Sequence, residues 1–250
     1  MPLSHSITAR LRNGLAGLLM TLSCLVTAFW LGWHGLAQLD FGYSVGYDLL
    51  EIDQHIQRFG PTNQYRTGFG DTSREQHLTL FGQIVDAIQN QGEGLAEIQY
   101  YVHHNGKNAS ATLLREPEVI HLQDVANLIS FFNQAAIVSI LVLVVLGVIY
   151  RRSGWRPPTP KQILLGTLIT LAVVGLFLLL VGPTQSFYWL HTKVFPENHQ
   201  WFFYYQESLM TTLMKAPDLF GFIAVLWGIV ALILFGLGQW LLQKLLQAKR

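Results

Sequence analysis

Four stretches of the chain contain no Asp, Glu, Lys or Arg at all: residues 13–39, 125–150, 162–192 and 219–243. Each can supply the roughly 20 apolar residues with which an α-helix crosses a bilayer, and a helix satisfies its own backbone hydrogen bonds where no water is available to do so. Four transmembrane helices are therefore expected, near residues 14–36, 129–150, 164–181 and 222–242. Composition points the same way, with 51% of the 250 residues hydrophobic and 12% charged, about half the roughly 25% charge of soluble domains. The formal net charge of +1 leaves no basic excess for nucleic acid. A single cysteine, Cys24, excludes an internal disulfide framework and a Cys-rich zinc module. A cleaved signal peptide is the rival for the first stretch, but the apolar run continues through Trp30 and Trp33, and a retained span is expected.

Orientation follows from the position of the charges, because Lys and Arg beside a span resist translocation. Arg10 and Arg12 precede the first span; Arg151, Arg152, Arg156 and Lys161 fill the connection between the second and third; Lys244, Lys249 and Arg250 end the chain. Placing these nine inside puts all 15 acidic residues outside, 12 of them from Asp40 to Asp124 and the others at Glu197, Glu207 and Asp218. The expected architecture is a membrane all-α protein, N-in and C-in, with a small mixed α+β extracytoplasmic domain between the first two helices. Residues 1–37 hold the cytoplasmic N-terminus and first span, 38–128 the extracytoplasmic domain, 129–150 the second span and 151–163 a cytoplasmic loop. The third span at 164–181 leads to an aromatic outer interfacial loop at 182–221, the fourth span at 222–242 and a cytoplasmic tail at 243–250.

Within 38–128 the pattern predicts helix, helix, hairpin. Leu49, Ile52, Ile56 and Phe59 recur at helical spacing. Thr72 and Glu75 can form a reciprocal capping box ahead of Leu78, Phe81, Ile84, Val85 and Ile88. Gly92 and Gly94 end that run, and residues 95–102 and 109–114 read as strands joined across Asn105-Gly106, a strong turn pair. Pro117 suits a first helical turn and nothing breaks the sequence from Glu118 to Tyr150, so the second span is expected to protrude outward by a few turns. In the aromatic loop, nine of the 19 residues from Phe187 to Tyr205 are Phe, Tyr or Trp, rings that favour the headgroup layer. Residues 208–215 follow as a short helix expected to lie in the interface or to re-enter it.

Nucleotide loops, Gly-x-Ser-x-Gly elbows and His-Glu-x-x-His zinc helices are absent from the sequence, and no metal, nucleotide or redox cofactor is indicated. Cys24, inside an apolar span, reads as a packing residue. His103 and His104 are adjacent on a predicted strand and so face opposite ways, which argues against a shared metal. His121 and His191 stand apart from the other histidines: one precedes the second span and the other follows the third. A short inner loop makes these two helices antiparallel neighbours, bringing the two imidazoles toward each other at the outer surface, with Asp124 one turn from His121. Imidazoles suit proton transfer near neutral pH, and a carboxylate can fix their tautomer. The bland alternative is that both anchor the spans at the headgroup layer.

The run Glu118-Val119-Ile120-His121-Leu122-Gln123-Asp124-Val125 resembles the His-Leu-x-Asp-Val motif of the lipoprotein intramolecular transacylase (Lit) family of bacterial membrane proteins. Leu190-His191-Thr192-Lys193-Val194-Phe195, then Trp201-Phe202 and Pro217 before the last span, is similar to that family's second signature, with Leu190 where the family has Phe. The resemblance implies a multi-pass protein of the bacterial inner membrane acting on diacylglyceryl-modified lipoproteins amid membrane lipids. The sn-2 acyl chain would move to the α-amine of the N-terminal cysteine, giving the lyso form. It implies His121 and His191 as the catalytic pair supported by Asp124, and Tyr188, Trp201, Tyr204 and Tyr205 as substrate-binding candidates. Two other readings stay open at this point: a non-catalytic membrane protein whose outer domain binds an envelope or lipoprotein partner, and a lipoprotein or lipid hydrolase using the same base with water.

Overall fold

The computed structural model describes residues 2–104, 107–153 and 155–247. Four of its helices are long and apolar enough to cross a membrane: α1 (Pro2–Ala37), α5 (Glu116–Arg152), α6 (Pro160–Val181) and α9 (Asp218–Gln247). At 22 residues, α6 extends about 33 Å, just over the ~30 Å hydrocarbon layer. By the same rise α5, with 37 residues, reaches about 55 Å and must project beyond that layer. Its first turn is prepared for this: Pro117 sits where no intrahelical N–H is needed, Glu116 and Glu118 complement the helix dipole, and the Glu118 carboxyl accepts the Arg115 backbone N–H at 2.7 Å. Hydroxyls within the spans fold back on their own helices, Thr21 to the Gly17 carbonyl and Thr27 to that of Ser23, as a polar group in apolar surroundings requires.

The chain forms two compact units. One, built from Met1–Trp33, Phe132–Ser186 and Trp227–Arg250, contains most of the four spans. Here Ala16 and Met20 of α1 meet Leu146 and Tyr150 of α5, and Cys24 and Ala28 meet Phe235 of α9. The Trp30 indole donates to the Asn133 side chain, and the Trp227 indole to the Phe29 carbonyl. Helix α6 buries no residue at all.

The other unit comprises His34–Phe131 and Phe187–Leu226. Helices α2 (Tyr43–Leu49), α3 (Ile52–Phe59) and α4 (Arg74–Gln89) precede an antiparallel hairpin of β1 (Gln99–His104) and β2 (Lys107–Thr112), in which Gln99 pairs with Thr112 and Tyr101 with Ser110. The expected Asn105-Gly106 turn lies outside the described residues. Then come the first turns of α5, the short helices α7 (Pro183–Val194) and α8 (Leu209–Met214), and the start of α9. The core gathers Tyr43, Ile52, Ile56, Phe69, Leu80, Ile84, Tyr100, Leu209 and Leu213. Tyr43 stacks on Phe81 at 4.0 Å and sends its hydroxyl to the Leu213 carbonyl at 2.7 Å.

Two local expectations are corrected. Helix α4 starts one residue later than the capping box required: Ser73 is the cap, accepting the Gln76 N–H. The Thr72 hydroxyl is instead committed to the Phe69 carbonyl and to Nε2 of the buried His77, both at 2.6 Å. The first strand begins at Gln99, because residues Leu95–Glu97 form a single tight helical turn. Helix α8 packs into the interior of this unit, and every residue from Leu209 to Met214 is buried. Thr212 is tolerated there because its hydroxyl donates to the Ser208 carbonyl at 2.9 Å, and Ser208 caps the helix start by accepting the Thr211 N–H.

Candidate active site

Where a loop was expected after the third span, Gly182 ends α6 at φ +88, a backbone conformation that favours glycine, and Pro183 opens α7. Residues Phe187 and His191 then lie one turn apart on α7. The His191 Nδ1–H donates to the Phe187 carbonyl at 2.8 Å, which fixes the tautomer and leaves the lone pair on Nε2. Burial pushes the His191 imidazole below its ordinary value, opposed by the Phe187 hydrogen bond.

The partner histidine comes from the projecting turns of α5. His121 is buried, and its Nδ1 has no hydrogen-bond partner among the described residues. The two rings face each other at 6.2 Å between centroids and 34° between planes. Aromatic side chains enclose them. Phe195 touches both, at 4.9 Å from His121 and 5.1 Å from His191. Phe203 packs on His121, while Phe187 and Trp201 lie 3.9 and 5.0 Å from His191. This is a mostly apolar, partly buried setting in which a neutral imidazole is favoured over its cation.

One turn before His121, the carboxyl of Glu118 is wholly buried. It accepts the Ser208 hydroxyl, which also caps α8, and the Arg115 backbone N–H, with the Arg115 guanidinium 3.4 Å away. The same Arg115 lies over the Tyr65 ring at 4.4 Å. These contacts tie the start of α5 to the start of α8 and hold His121 in place.

The family model described as lipoprotein intramolecular transacylase Lit matches residues 49–216. The chain belongs to the Lit family. That region contains both histidines and their aromatic surround, and the membership makes this chain a membrane-bound acyltransferase of the lipoprotein transacylase type. The fold agrees. It is similar to solved structures of the membrane integral lipoprotein intramolecular transacylase Lit from Bacillus cereus. One carries a histidine-to-arginine substitution: TM-score 0.65, 17% identity, covering 100% of this chain and 99% of that one. Another shows TM-score 0.64 and 18% identity over 96% and 98% of the two chains. A third, with a histidine-to-alanine substitution, gives TM-score 0.65 and 17% identity over 98% and 99%. No curated protein matches the chain.

Of the site residues expected of a Lit member, the structure brings His121, His191 and Trp201 together, with Tyr188 5.8 Å from Trp201. Tyr204 is exposed and packs on Phe202, which in turn packs on Tyr188. Tyr205 lies elsewhere, against His55 and Phe59, with its hydroxyl donated to the Ala216 carbonyl at 2.6 Å. Asp124 is not the hydrogen-bond partner of His121: its carboxylate accepts Nδ1–H of His199 at 2.6 Å. Sequence reasoning passed over His199 and Glu118. The spacing of Glu118 and His121, three residues apart on one helix, is the signal that could have found the latter; His199 is 75 residues from Asp124, and no local pattern links them.

Proposed function

We propose that this Lit family member moves the sn-2 acyl chain of a diacylglyceryl-modified lipoprotein to the α-amine of its N-terminal cysteine, at the outer surface of the bacterial inner membrane, with His121 and His191 sharing the proton transfers. The observation that carries this reading is the facing pair of imidazoles, 6.2 Å apart, in an aromatic shell on a chain of the family. Nine Lys and Arg residues at the termini and in the connection from 151 to 163 favour cytoplasmic placement of both ends, which puts the pair on the opposite side, where lipid-anchored lipoproteins present their glyceryl esters.

His191 is the base. Its Nδ1–H is held by Phe187, so Nε2 takes a proton from the amine as nitrogen attacks the ester carbonyl. His121, packed between Phe195 and Phe203, donates an imidazole N–H to the developing oxyanion. Collapse of the tetrahedral intermediate breaks the bond to the glyceryl oxygen, which receives the proton held on His191; an amide has formed, a glyceryl hydroxyl is released, and both imidazoles are again neutral. Because amine and ester belong to one molecule, the aromatic residues Tyr188, Trp201 and Tyr204 need only hold the glyceryl-cysteine folded. Such orientation reaches effective concentrations of about 10⁵–10⁸ M in favourable cases.

The test is direct. Purified protein in detergent micelles is given a synthetic diacylglyceryl-cysteinyl peptide, and the product is fragmented in a mass spectrometer. Unchanged total mass with one acyl chain relocated to nitrogen is the expected result. Loss of one chain as free fatty acid, with the amine still open, would instead establish a hydrolase, and an untouched peptide would leave only the binding reading.

A further inference from the structure

Helix α7 carries His191 yet buries none of its residues, and the chain from Phe195 to Gln200 that follows it is exposed or only half-buried. Little packing therefore holds this stretch, and segments with few buried contacts open most readily. Among the described residues its one polar tie to α5 is the hydrogen bond from His199 Nδ1 to the Asp124 carboxylate, 2.6 Å long. Asp124 stands one turn beyond His121 on α5, and i,i+3 residues are neighbours on a helix surface. His199 is presented by a tight turn, its N–H bonded to the Pro196 carbonyl at 3.1 Å. Of the four rings that enclose the two histidines, Phe187 belongs to α7, and the other three, Phe195, Trp201 and Phe203, belong to the nine residues centred on this tie. The pair lies at the edge of the site, with side-chain exposures of 32% for His199 and 14% for Asp124, so it can part without disrupting the core.

We propose that His199 is a positioning residue for acyl transfer: its bond to Asp124 latches residues 195–203 onto α5 and so holds Phe195, Trp201 and Phe203 against the histidine pair. The inference rests on the transacylase reading for its catalytic consequence but not for its structural one. The tie uses Nδ1 of the imidazole, so an asparagine amide, whose N–H falls near the same place, can replace it.

The experiment uses the full-length protein in detergent, with His199→Ala, His199→Asn, Asp124→Ala and the double alanine variant. Hydrogen exchange followed by mass spectrometry reads peptides spanning 195–203, and the lipopeptide assay reads kcat and KM. Loss of a charge-assisted hydrogen bond is expected to speed exchange in that segment by about 10-fold in His199→Ala, with kcat lowered about 10-fold and KM little changed. His199→Asn should recover most of both, and the double variant should be no worse than either single one. Unchanged exchange in His199→Ala, additive losses in the double variant, or an asparagine variant as poor as alanine would each overturn the latch. If the wild type proves inactive on lipopeptides, the transacylase reading fails while the exchange data still decide the latch.

Discussion

Replacing His191 by alanine is expected to slow acyl transfer about 10²–10⁴-fold, the usual contribution of a positioned acid or base, while leaving the fold almost untouched. The second half follows from the structure: no residue of α7 is buried, so truncating this side chain opens no cavity. His121→Ala should be comparably slow, with a stability loss in addition, because His121 is buried between Phe195 and Phe203. Single-turnover rates on a diacylglyceryl peptide, beside thermal unfolding of the same preparations, separate these effects. The pH dependence carries further information. Burial holds His191 below the ordinary imidazole value of about 6.5, so the neutral, base-competent form already dominates above that pH. The acceptor α-amine, near ~7.7–8.0 in water, must lose its proton before it can attack. The rate should therefore rise through the range of the amine, with no separate rise from His191 above about pH 6.5. A limb in that region which vanishes in a His191 variant would show that the imidazole is not held neutral by its surroundings.

The second large effect is on stability. Glu118→Ala removes the carboxyl that accepts the Ser208 hydroxyl and the Arg115 backbone N–H and strands the Arg115 guanidinium, two of whose nitrogens are already buried without a hydrogen bond among the described residues. Breaking a buried ion pair on one side costs about 3–5 kcal/mol, a fall of about 10 °C in melting temperature for a chain of this size. Glu118→Gln keeps one acceptor oxygen and should cost roughly half as much, since a single buried donor is then unpaired, at about 1–3 kcal/mol. Melting curves that move by less than ~2 °C for the alanine variant would mean that this carboxyl does not fasten α5 to α8. Because Glu118 acts through the backbone that carries His121, the surviving folded fraction should also transfer acyl groups more slowly.

Much of the architecture was legible because membrane insertion imposes one-dimensional rules. Runs without charge mark the four long helices, and the absence of any breaker after Pro117 correctly extended α5 beyond the bilayer thickness. The proximity of His121 and His191 followed from antiparallel neighbouring spans and from the motif around each. What escaped depends on choices among near-equivalent partners or on contacts distant in sequence. Thr72 and Ser73 are both competent caps, and the buried imidazole of His77 decided between them by claiming the Thr72 hydroxyl. The segment that became α7 looked like a loop because its rings suggested an interface; the pair Gly182-Pro183 was the overlooked sign that one helix stops and another starts there. Helix α8 has an amphipathic pattern, yet packing against the loop unit buries all six residues, an outcome of tertiary contacts alone. Asp124 shows the same limit at the site itself: its place one turn from His121 was readable, its choice of His199 as partner was not.

In the proposed mechanism two histidines drive migration of an acyl chain within one lipoprotein molecule. It is tested most directly by intact mass and fragmentation of lipoprotein N-terminal peptides from cells that lack any other N-acylating enzyme and express the wild-type chain, His121→Ala or His191→Ala. The expected result is an N-acylated cysteine bearing a single-chain glyceryl group with the wild type, and an unaltered diacylglyceryl cysteine with a free amine in both variants, although each is present in the membrane. N-acylated lyso peptides persisting in either variant, or diacylglyceryl peptides unchanged with the wild type, would contradict it.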